Sequence, residues 1–202
     1  MPIFKGSEYA AFLFDMDGTM LDSSVVVERV WREWAGRWGI DQDAVVAACH
    51  GVQGPDIIRR FGPSDIDVSE EARWLMAAEM ADVEGIVPIA GIVDFVERLD
   101  PSDWAIVTSA PRDLAELRLK AVGLPRPEVM VTAEDVAKGK PDPEGYLKAA
   151  RTLGVPIRDC LIFEDSTAGI SAAEASGARV VIVGDRAGGT AAGESVKIAD
   201  YL

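Results

Sequence analysis

Five short apolar runs, rich in β-branched and aromatic residues, occur at residues 10–14, 104–108, 129–131, 160–163 and 179–183. Runs of this length are typical of strands in a sheet that is buried on both faces. Segments with helical spacing separate the last four runs, over residues 111–122, 144–153 and 166–175. Since strands that alternate with helices in this way pair in parallel, the sequence predicts a parallel sheet with helices on both faces.

Residues 21–87 interrupt this alternation and predict a separate helical unit. No convincing strand pattern occurs there, whereas helical periodicity covers residues 24–38, 43–49, 53–61 and 68–82. Four of the five tryptophans lie in this insert, namely Trp31, Trp34, Trp38 and Trp74. We interpret them as the core of a small helical bundle rather than as an aromatic substrate pocket. The sequence thus predicts a Rossmann-like α/β core over residues 1–20 and 88–202 and a small all-helical domain over residues 21–87.

Composition limits the class of protein and its partners. The chain has 202 residues, of which 49% are hydrophobic, and a net charge of −14. This charge argues against binding to nucleic acid or to an anionic membrane, because both favour basic surfaces. The two cysteines have no paired spacing, so we expect neither a disulfide framework nor a zinc cluster. Without a signal-peptide pattern or an apolar run of membrane-spanning length, we expect a cytoplasmic protein with no obligatory protein partner.

The first apolar run ends in Asp15-Met16-Asp17-Gly18-Thr19. Parallel sheets carry their chemistry at the carboxyl ends of their strands, so this segment is a candidate site. Two carboxylates this close in the sequence require compensation, and a divalent cation is the simplest means. An aspartate is also a nucleophile that can accept a phosphoryl group. An ordinary acidic turn is the alternative interpretation of the segment taken alone.

Polar residues also end two later runs. Thr108 and Ser109 precede a helix start at Pro111, where a hydroxyl and unpaired N–H groups suit an anionic oxygen or simply cap the helix. Glu164 and Asp165 end the run at residues 160–163 and also precede a helix. Acids at the positive end of a helix need no ligand, so neither segment is decisive alone.

A loop lysine completes the set. Lys138 and Lys140 lie in the loop that leads to the rigid Pro141-Asp142-Pro143, and either ammonium is suited to a phosphate, although most loop lysines are merely solvated. Taken together, the four segments place a cation, an anion site and a nucleophile at one edge of the predicted sheet. Helix capping alone does not account for that coincidence.

In this order the four segments resemble the haloacid dehalogenase superfamily of phosphohydrolases, over residues 10–184. Within it, Cys49-His50-Gly51 with Asp56-Ile57-Ile58, and Val107-Thr108-Ser109 through Arg112-Asp113, resemble phosphatases of sugar phosphates, glycerol phosphate and 2-deoxyglucose 6-phosphate. The segment from Glu134 to Pro141 also fits that group. The resemblance implies that the helical insert is the superfamily's cap domain, which selects the substrate.

The resemblance also implies roles for individual residues. Asp15 is expected to be the nucleophile, and Asp17 the general acid that protonates the leaving alkoxide and then the base that activates water. Thr108 and Lys140 are expected to bind and neutralise the phosphoryl group, with help from the Ser109 backbone; Lys140 is preferred to Lys138 because it directly precedes Pro141. His50, the single histidine, is a candidate substrate contact in the cap, although a structural role is equally consistent with its position.

Mg²⁺ is the cofactor that the resemblance implies. Its ligands would be Asp15, the backbone carbonyl of Asp17 and Asp165, with Glu164 as a supplementary or outer ligand. The implied function is hydrolysis of a small sugar or polyol phosphate through an aspartyl-phosphate.

Three other functions are compatible with the fold but are disfavoured. A phosphomutase of the β-phosphoglucomutase type is the enzymatic alternative, disfavoured because the insert has no lysine to hold a second phosphate. Dehalogenation is disfavoured because it does not need an acid at Asp17. A non-catalytic binding protein on the same fold is disfavoured because all four segments are complete.

Overall fold

The computed structural model describes residues 1–49, 53–184 and 196–202. The chain divides into two compact units, one formed by Met1–Asp22 with Val87–Leu202 and the other by Ser23–Ile86. In the described residues the helices are α1 (Ser24–Trp38), α2 (Gln42–Cys49), α3 (Gly54–Phe61), α4 (Val68–Ala81), α5 (Ile92–Glu97), α6 (Arg112–Ala121), α7 (Glu144–Leu153) and α8 (Thr167–Ser176).

The first unit contains a parallel sheet of six strands. In chain order the strands of the described residues are β1 (Ile3–Phe4), β2 (Ser7–Glu8), β3 (Ala11–Phe14), β4 (Leu21–Asp22), β5 (Val87–Pro88), β6 (Trp104–Val107), β7 (Val129–Val131), β8 (Cys160–Glu164), β9 (Arg179–Val183) and β10 (Val196–Ile198). The sheet has the order β10-β9-β8-β3-β6-β7, and every neighbouring pair is parallel. The predicted α/β fold is therefore confirmed, with β3 at the centre of the sheet.

The two faces of the sheet are packed differently. On one face Leu13, Ala105 and Ile162 pack in a core of mostly aliphatic side chains to which α7 and α8 contribute. On the other face the Phe14 and Phe163 rings stack with centroids 4.7 Å apart, and Phe95 of α5 packs beside them. Helices thus cover both faces, and the alternation of side chains along β3 assigns each residue to one core.

Local signals explain the helix ends near the carboxyl edge. Helix α7 has the predicted limits because it follows Pro143 and ends at Gly154, which adopts a left-handed φ of 74°. Helix α8 begins after Ser166, whose hydroxyl accepts a hydrogen bond from the Gly169 N–H, so the capping interpretation is correct there.

The predicted buried face of α6 is partly wrong. Helical spacing over residues 111–122 predicts one apolar face with Leu114, Leu117 and Ala121, whereas Ala121 is exposed and the buried residues of the helix are Leu114, Ala115, Arg118 and Leu119. The buried stripe is rotated by about one residue because Arg118 turns inward, which a count of apolar residues cannot detect.

The second unit packs α1 to α4 around buried aromatic residues. Trp31 and Trp34 are buried, as the core interpretation predicts, whereas Trp38 is 39% exposed. Trp34 Nε1 and Trp38 Nε1 donate to the buried Glu71 carboxylate at 2.9 and 3.1 Å, which links α1 to α4. The expectation of no strand within residues 21–87 is wrong at the margins, because β4 and β5 form a two-residue antiparallel pair there.

Two further expectations concern membranes and thiols. None of the helices in the described ranges is long and apolar enough to cross a bilayer. Cys49 and Cys160 are both free and buried, and burial raises the pKa of each thiol to about 11.

Candidate active site

Three strand ends converge at the centre of the sheet. Asp15 directly follows β3, Thr108 follows β6 and Asp165 follows β8, and β3 lies between the other two strands. Main-chain hydrogen bonds continue the sheet past the strand ends, because the Asp15 N–H donates to the Phe163 carbonyl and the Thr108 N–H to the Val131 carbonyl, each at 3.0 Å. The sequence-predicted residues therefore lie on adjoining segments of one edge.

Lys140 reaches this edge from the loop before α7. Its Nζ lies 2.5 Å from Asp15 Oδ1 and 2.6 Å from Glu164 Oε1, and about a tenth of its side chain is exposed. Lys138 is exposed, while its backbone N–H and that of Ala137 donate to the Glu144 carboxylate at the start of α7. The loop is thus held by α7 in a position that directs Lys140, and not its neighbour Lys138, to Asp15.

Glu164 anchors the lysine. It is fully buried, and its Oε1 also accepts from the Tyr146 hydroxyl at 3.0 Å. Its Oε2 accepts from the backbone N–H groups of Asp165 and Ser166 at 2.9 Å each and from the Ser166 hydroxyl at 3.1 Å. Because both oxygens are engaged by donors, Glu164 is better suited to hold Lys140 than to bind a metal directly.

Burial and charge set the protonation of this cluster. Burial, together with the negative charges of Glu164 and Asp165, raises the pKa of Asp15 well above its usual value despite the opposing effect of Lys140. Burial alone would lower the pKa of Lys140, but the charges of Asp15 and Glu164 outweigh it and hold that pKa above its usual range. Burial also raises the pKa of Tyr146, so its hydroxyl remains a donor.

Asp15, Glu164 and Asp165 form a cluster of buried carboxylates. One oxygen from each can be chosen so that all lie within 4.8 Å of one another. Asp165 Oδ1 also accepts from the buried Thr19 hydroxyl at 3.3 Å. Three carboxylates around one ammonium leave an excess of negative charge, and hard oxygen donors of this kind fit a divalent cation such as Mg²⁺.

Gly18 allows the Asp165 carboxylate to approach the first loop. Its φ is +91°, a conformation that favours glycine, and a Cβ at this position would overlap the carboxylate of Asp165. The glycine of the Asp15–Thr19 segment is therefore required both by the turn and by the space that Asp165 occupies.

Asp17 has surroundings that differ from those of Asp15. Its Oδ1 accepts a hydrogen bond from Arg118 Nη1 at 2.9 Å, and 27% of its side chain is exposed. Asp15 is only 10% exposed and is paired with Lys140. Asp15 and Asp17 are separated by one residue, yet they form ion pairs with different side chains, Lys140 before α7 and Arg118 on α6.

Thr108 and Ser109 lie between β6 and α6. Thr108 is buried and its Oγ1 accepts from the Ala110 N–H at 3.0 Å, while Ser109 is exposed. Ser109 makes no capping hydrogen bond to α6, which begins after Pro111.

The Asp135 carboxylate connects α6 to α7. It accepts a hydrogen bond from Arg112 Nη2 of α6 at 2.6 Å and one from Lys148 Nζ of α7 at 3.3 Å.

Sequence reasoning missed two members of the site. Arg118 escaped notice because it is a charged residue on a helix, although its spacing of four from Leu114 places it in the buried stripe. Tyr146 was missed because helical spacing over residues 144–153 predicts an apolar face with Leu147, Ala150 and Leu153. Ala150 is buried as predicted, but the other buried residues of α7 are Tyr146 and Ala149. The prediction for His50 lies outside the described residues and stays a prediction.

The sequence model of the haloacid dehalogenase-like hydrolases matches residues 12–183. The chain belongs to this family. Hexitol phosphatase A of Escherichia coli is 42% identical over 176 residues, which cover 85% of this chain and 82% of that protein. Glycerol-1-phosphate phosphohydrolase 2 of Saccharomyces cerevisiae is 34% identical over 184 residues, covering 85% of this chain and 73% of that protein.

Solved structures of the haloacid dehalogenase-like hydrolases share the fold. The crystal structure of CbbY from Rhodobacter sphaeroides in complex with phosphate matches with a TM-score of 0.79 at 24% identity, over 96% of this chain and 95% of that chain. The resemblance and the expectation of a phosphatase-type enzyme of this family are therefore confirmed.

Proposed function

We propose that this haloacid dehalogenase-like hydrolase is a Mg²⁺-dependent phosphomonoesterase that hydrolyses small sugar or polyol phosphates through an aspartyl-phosphate. The observation that carries the proposal is the separation of two carboxylates by their cations: Lys140 binds Asp15, and Arg118 binds Asp17. The two carboxyl groups are thereby held apart, so that one can face the phosphorus and the other the leaving oxygen.

In the first transfer, a carboxylate oxygen of Asp15 attacks phosphorus and the bond from phosphorus to the substrate oxygen breaks. Asp17 gives its proton to that leaving oxygen, which departs as an alcohol. Lys140 offsets the negative charge that Asp15 and the phosphoryl group bring together. The Thr108 hydroxyl donates to a phosphoryl oxygen, and the Ser109 N–H adds a second donor.

In the second transfer, a water oxygen attacks phosphorus and the bond from phosphorus to Asp15 breaks. Asp17 takes a proton of the water, which restores its acid form, while the broken bond leaves its electron pair on Asp15 as a carboxylate. Inorganic phosphate then leaves. Asp17 alternates between acid and base, and no other proton carrier is required.

Asp15 and Asp165, with the main-chain carbonyl of Asp17, are the groups that would hold Mg²⁺, and Glu164 would support them from outside. The bound ion would supply positive charge to the transferring phosphoryl group. Support comes from the cluster of Asp15, Glu164 and Asp165, three buried carboxyl groups whose oxygens can be chosen to lie within 4.8 Å of one another.

The substrate class rests on the relatives and on charge. The two phosphatases named above act, by their names, on hexitol and glycerol phosphates, which are small polyol esters. A net charge of −14 favours a small anionic metabolite that is held locally by a few cations over an extended polyanion. We assign the enzyme to the cytoplasm and its substrate selection to the unit Ser23–Ile86.

Phosphate release from a panel of hexitol, glycerol, hexose and nucleoside monophosphates, with Mg²⁺ and with a chelator, tests the proposal. The Asp15→Asn variant should lose turnover, whereas Asp113→Asn, which alters an exposed aspartate of α6, should keep it. Mass spectrometry after acid quench should find one added phosphoryl group on the peptide that contains Asp15.

Near-normal turnover by Asp15→Asn would remove Asp15 as the nucleophile. If the wild-type enzyme released phosphate from no substrate, hexose 1-phosphates with a bisphosphate activator would test the phosphomutase alternative. Failure there as well would favour the non-catalytic alternative.

A further inference from the structure

Arg118 is buried at a place where a charged side chain is costly. With 4% of its surface exposed, it is the most buried basic residue in the part of the chain that the structure describes. The other buried residues of α6 are Leu114, Ala115 and Leu119, all of which are apolar. A buried guanidinium is retained only where it has a charged partner.

One charged partner of Arg118 is Asp17, which lies 101 positions earlier in the chain. The contact joins Arg118 Nη1 to Asp17 Oδ1 at 2.9 Å and forms an ion pair. Asp17 itself lies on the turn that follows β3, directly before the left-handed Gly18. A residue of a packed helix thus fixes the carboxyl group of a residue on a turn.

We propose that Arg118 is the positioning residue for Asp17, holding the general acid so that its proton faces the leaving oxygen. A guanidinium offers only donors and remains charged at every relevant pH. Because Arg118 is held on a packed helix, its ion pair with Oδ1 restricts the rotation of the Asp17 carboxyl group. This inference rests on the proposed function and adds a determinant of its first step.

If Arg118 positions Asp17, the loss of rate on its replacement should depend on the leaving group. If Arg118 is only structural, the loss should be the same for every leaving group. A sugar or polyol alkoxide needs a proton as it departs, but nitrophenolate departs without one. Arg118→Met should therefore slow alcohol release from a polyol phosphate by about 10- to 100-fold, a part of the usual contribution of a general acid. Nitrophenol release from p-nitrophenyl phosphate should fall by less than about 3-fold on the same reasoning.

The two rates should be measured under single turnover with enzyme in excess. Release of the alcohol or of nitrophenol then reports only the first transfer and not the hydrolysis of the aspartyl-phosphate. Arg126→Met is the matched control, because Arg126 is 60% exposed and its ion pair with Glu116 lies on the surface. This control should leave both rates unchanged.

A double variant tests whether Arg118 acts through Asp17. If it does, Arg118→Met should add little to the loss already caused by Asp17→Asn in release of the alcohol. Arg118→Lys keeps the positive charge but not the planar guanidinium. Its rate of alcohol release should lie between those of wild type and Arg118→Met. If Arg118→Met fails to fold, Arg118→Lys carries the same comparison of the two leaving groups.

Equal losses for both leaving groups, or additive losses in the double variant, would overturn the positioning role and leave Arg118 as a structural residue. These results would leave the proposed function intact, because wild type would still hydrolyse the polyol phosphate and Asp15→Asn would not. Absence of turnover in wild type would instead refute the proposed function, and the inference with it.

Discussion

Gly169 packs so closely against the carboxylate of Glu164 that a Cβ built on the glycine would overlap it. Gly169 lies in the first turn of α8 and is buried. The carboxylate that it touches is also the one that anchors Lys140. A residue without a side chain is therefore part of what positions the lysine beside Asp15.

Replacement of Gly169 by alanine should lower both activity and stability. Alanine normally stabilises a helix by about 0.5–1 kcal/mol relative to glycine, but here the new methyl group must displace Glu164. Gly36→Ala is the control, because Gly36 is an exposed glycine of α1 with only the flexible end of Gln42 nearby. In urea unfolding, the free energy of unfolding should fall for Gly169→Ala and rise slightly for Gly36→Ala. A rise for both variants would contradict the packing argument.

Lys140→Met should be inactive and less stable. Removal of one member of a buried ion pair leaves uncompensated charge, here on Asp15 and Glu164, at a cost of about 3–5 kcal/mol. Turnover should fall by at least about 100-fold because the charge on the nucleophile and phosphoryl group is no longer offset.

Lys138→Met is the matched control for this lysine. Since Lys138 is exposed, its free energy of unfolding should change by less than about 0.5 kcal/mol. Equal losses of turnover in the two variants would mean that Lys140 has no special role.

Mg²⁺ should raise the thermal stability of the protein through Asp165. A ligand at about 100 times its dissociation constant stabilises the folded state by about 2.7 kcal/mol. The rise in Tm with Mg²⁺ should be largely lost in Asp165→Asn and kept in Asp113→Asn, whose altered residue is exposed. The same rise in all three proteins would place the ion elsewhere.

Asp135 should make stability depend on pH. Hydrogen bonding from the Thr132 backbone, supported by the Thr132 hydroxyl and Lys148, lowers the pKa of Asp135 from its usual 3.8 to about 2. A lowered folded-state pKa stabilises the protein above the unfolded-state value, and this contribution is lost as the pH falls from about 4 to about 2.

Urea unfolding of wild type and Asp135→Asn at two pH values measures this contribution. The difference in free energy of unfolding should be about 1–2 kcal/mol near neutral pH and smaller at about pH 3. A difference that stays constant with pH would assign the effect to packing instead of charge.

The carboxyl edge of the sheet was predictable because the signals there are local. Apolar runs stop at Asp15, Thr108 and Asp165, and in a parallel sheet such ends must meet at one edge. Helical spacing predicted the limits of α7, and in the structure Pro143 precedes the helix and Gly154 ends it.

Other features depend on tertiary contacts that a single sequence does not carry. Strands β4 and β5 have two residues each, too few for any periodicity, and exist because they pair with each other. Arg118 could not be distinguished from a solvated helix residue without knowing that Asp17 lies within its reach. The buried face of α7 includes Tyr146, whose hydroxyl donates to Glu164. This contact joins residues of two different elements, so the spacing within the helix does not reveal it.

The pairing of β4 with β5 makes the chain modular. Asp22 lies opposite Val87, so the backbone leaves the sheet-containing unit and returns to it at neighbouring points. The entropy of closing a loop depends only weakly on its length, so this hairpin tolerates a longer or shorter segment between its strands. The segment Ser23–Ile86 can therefore be replaced, by evolution or by design, without a change in the register of the central strands.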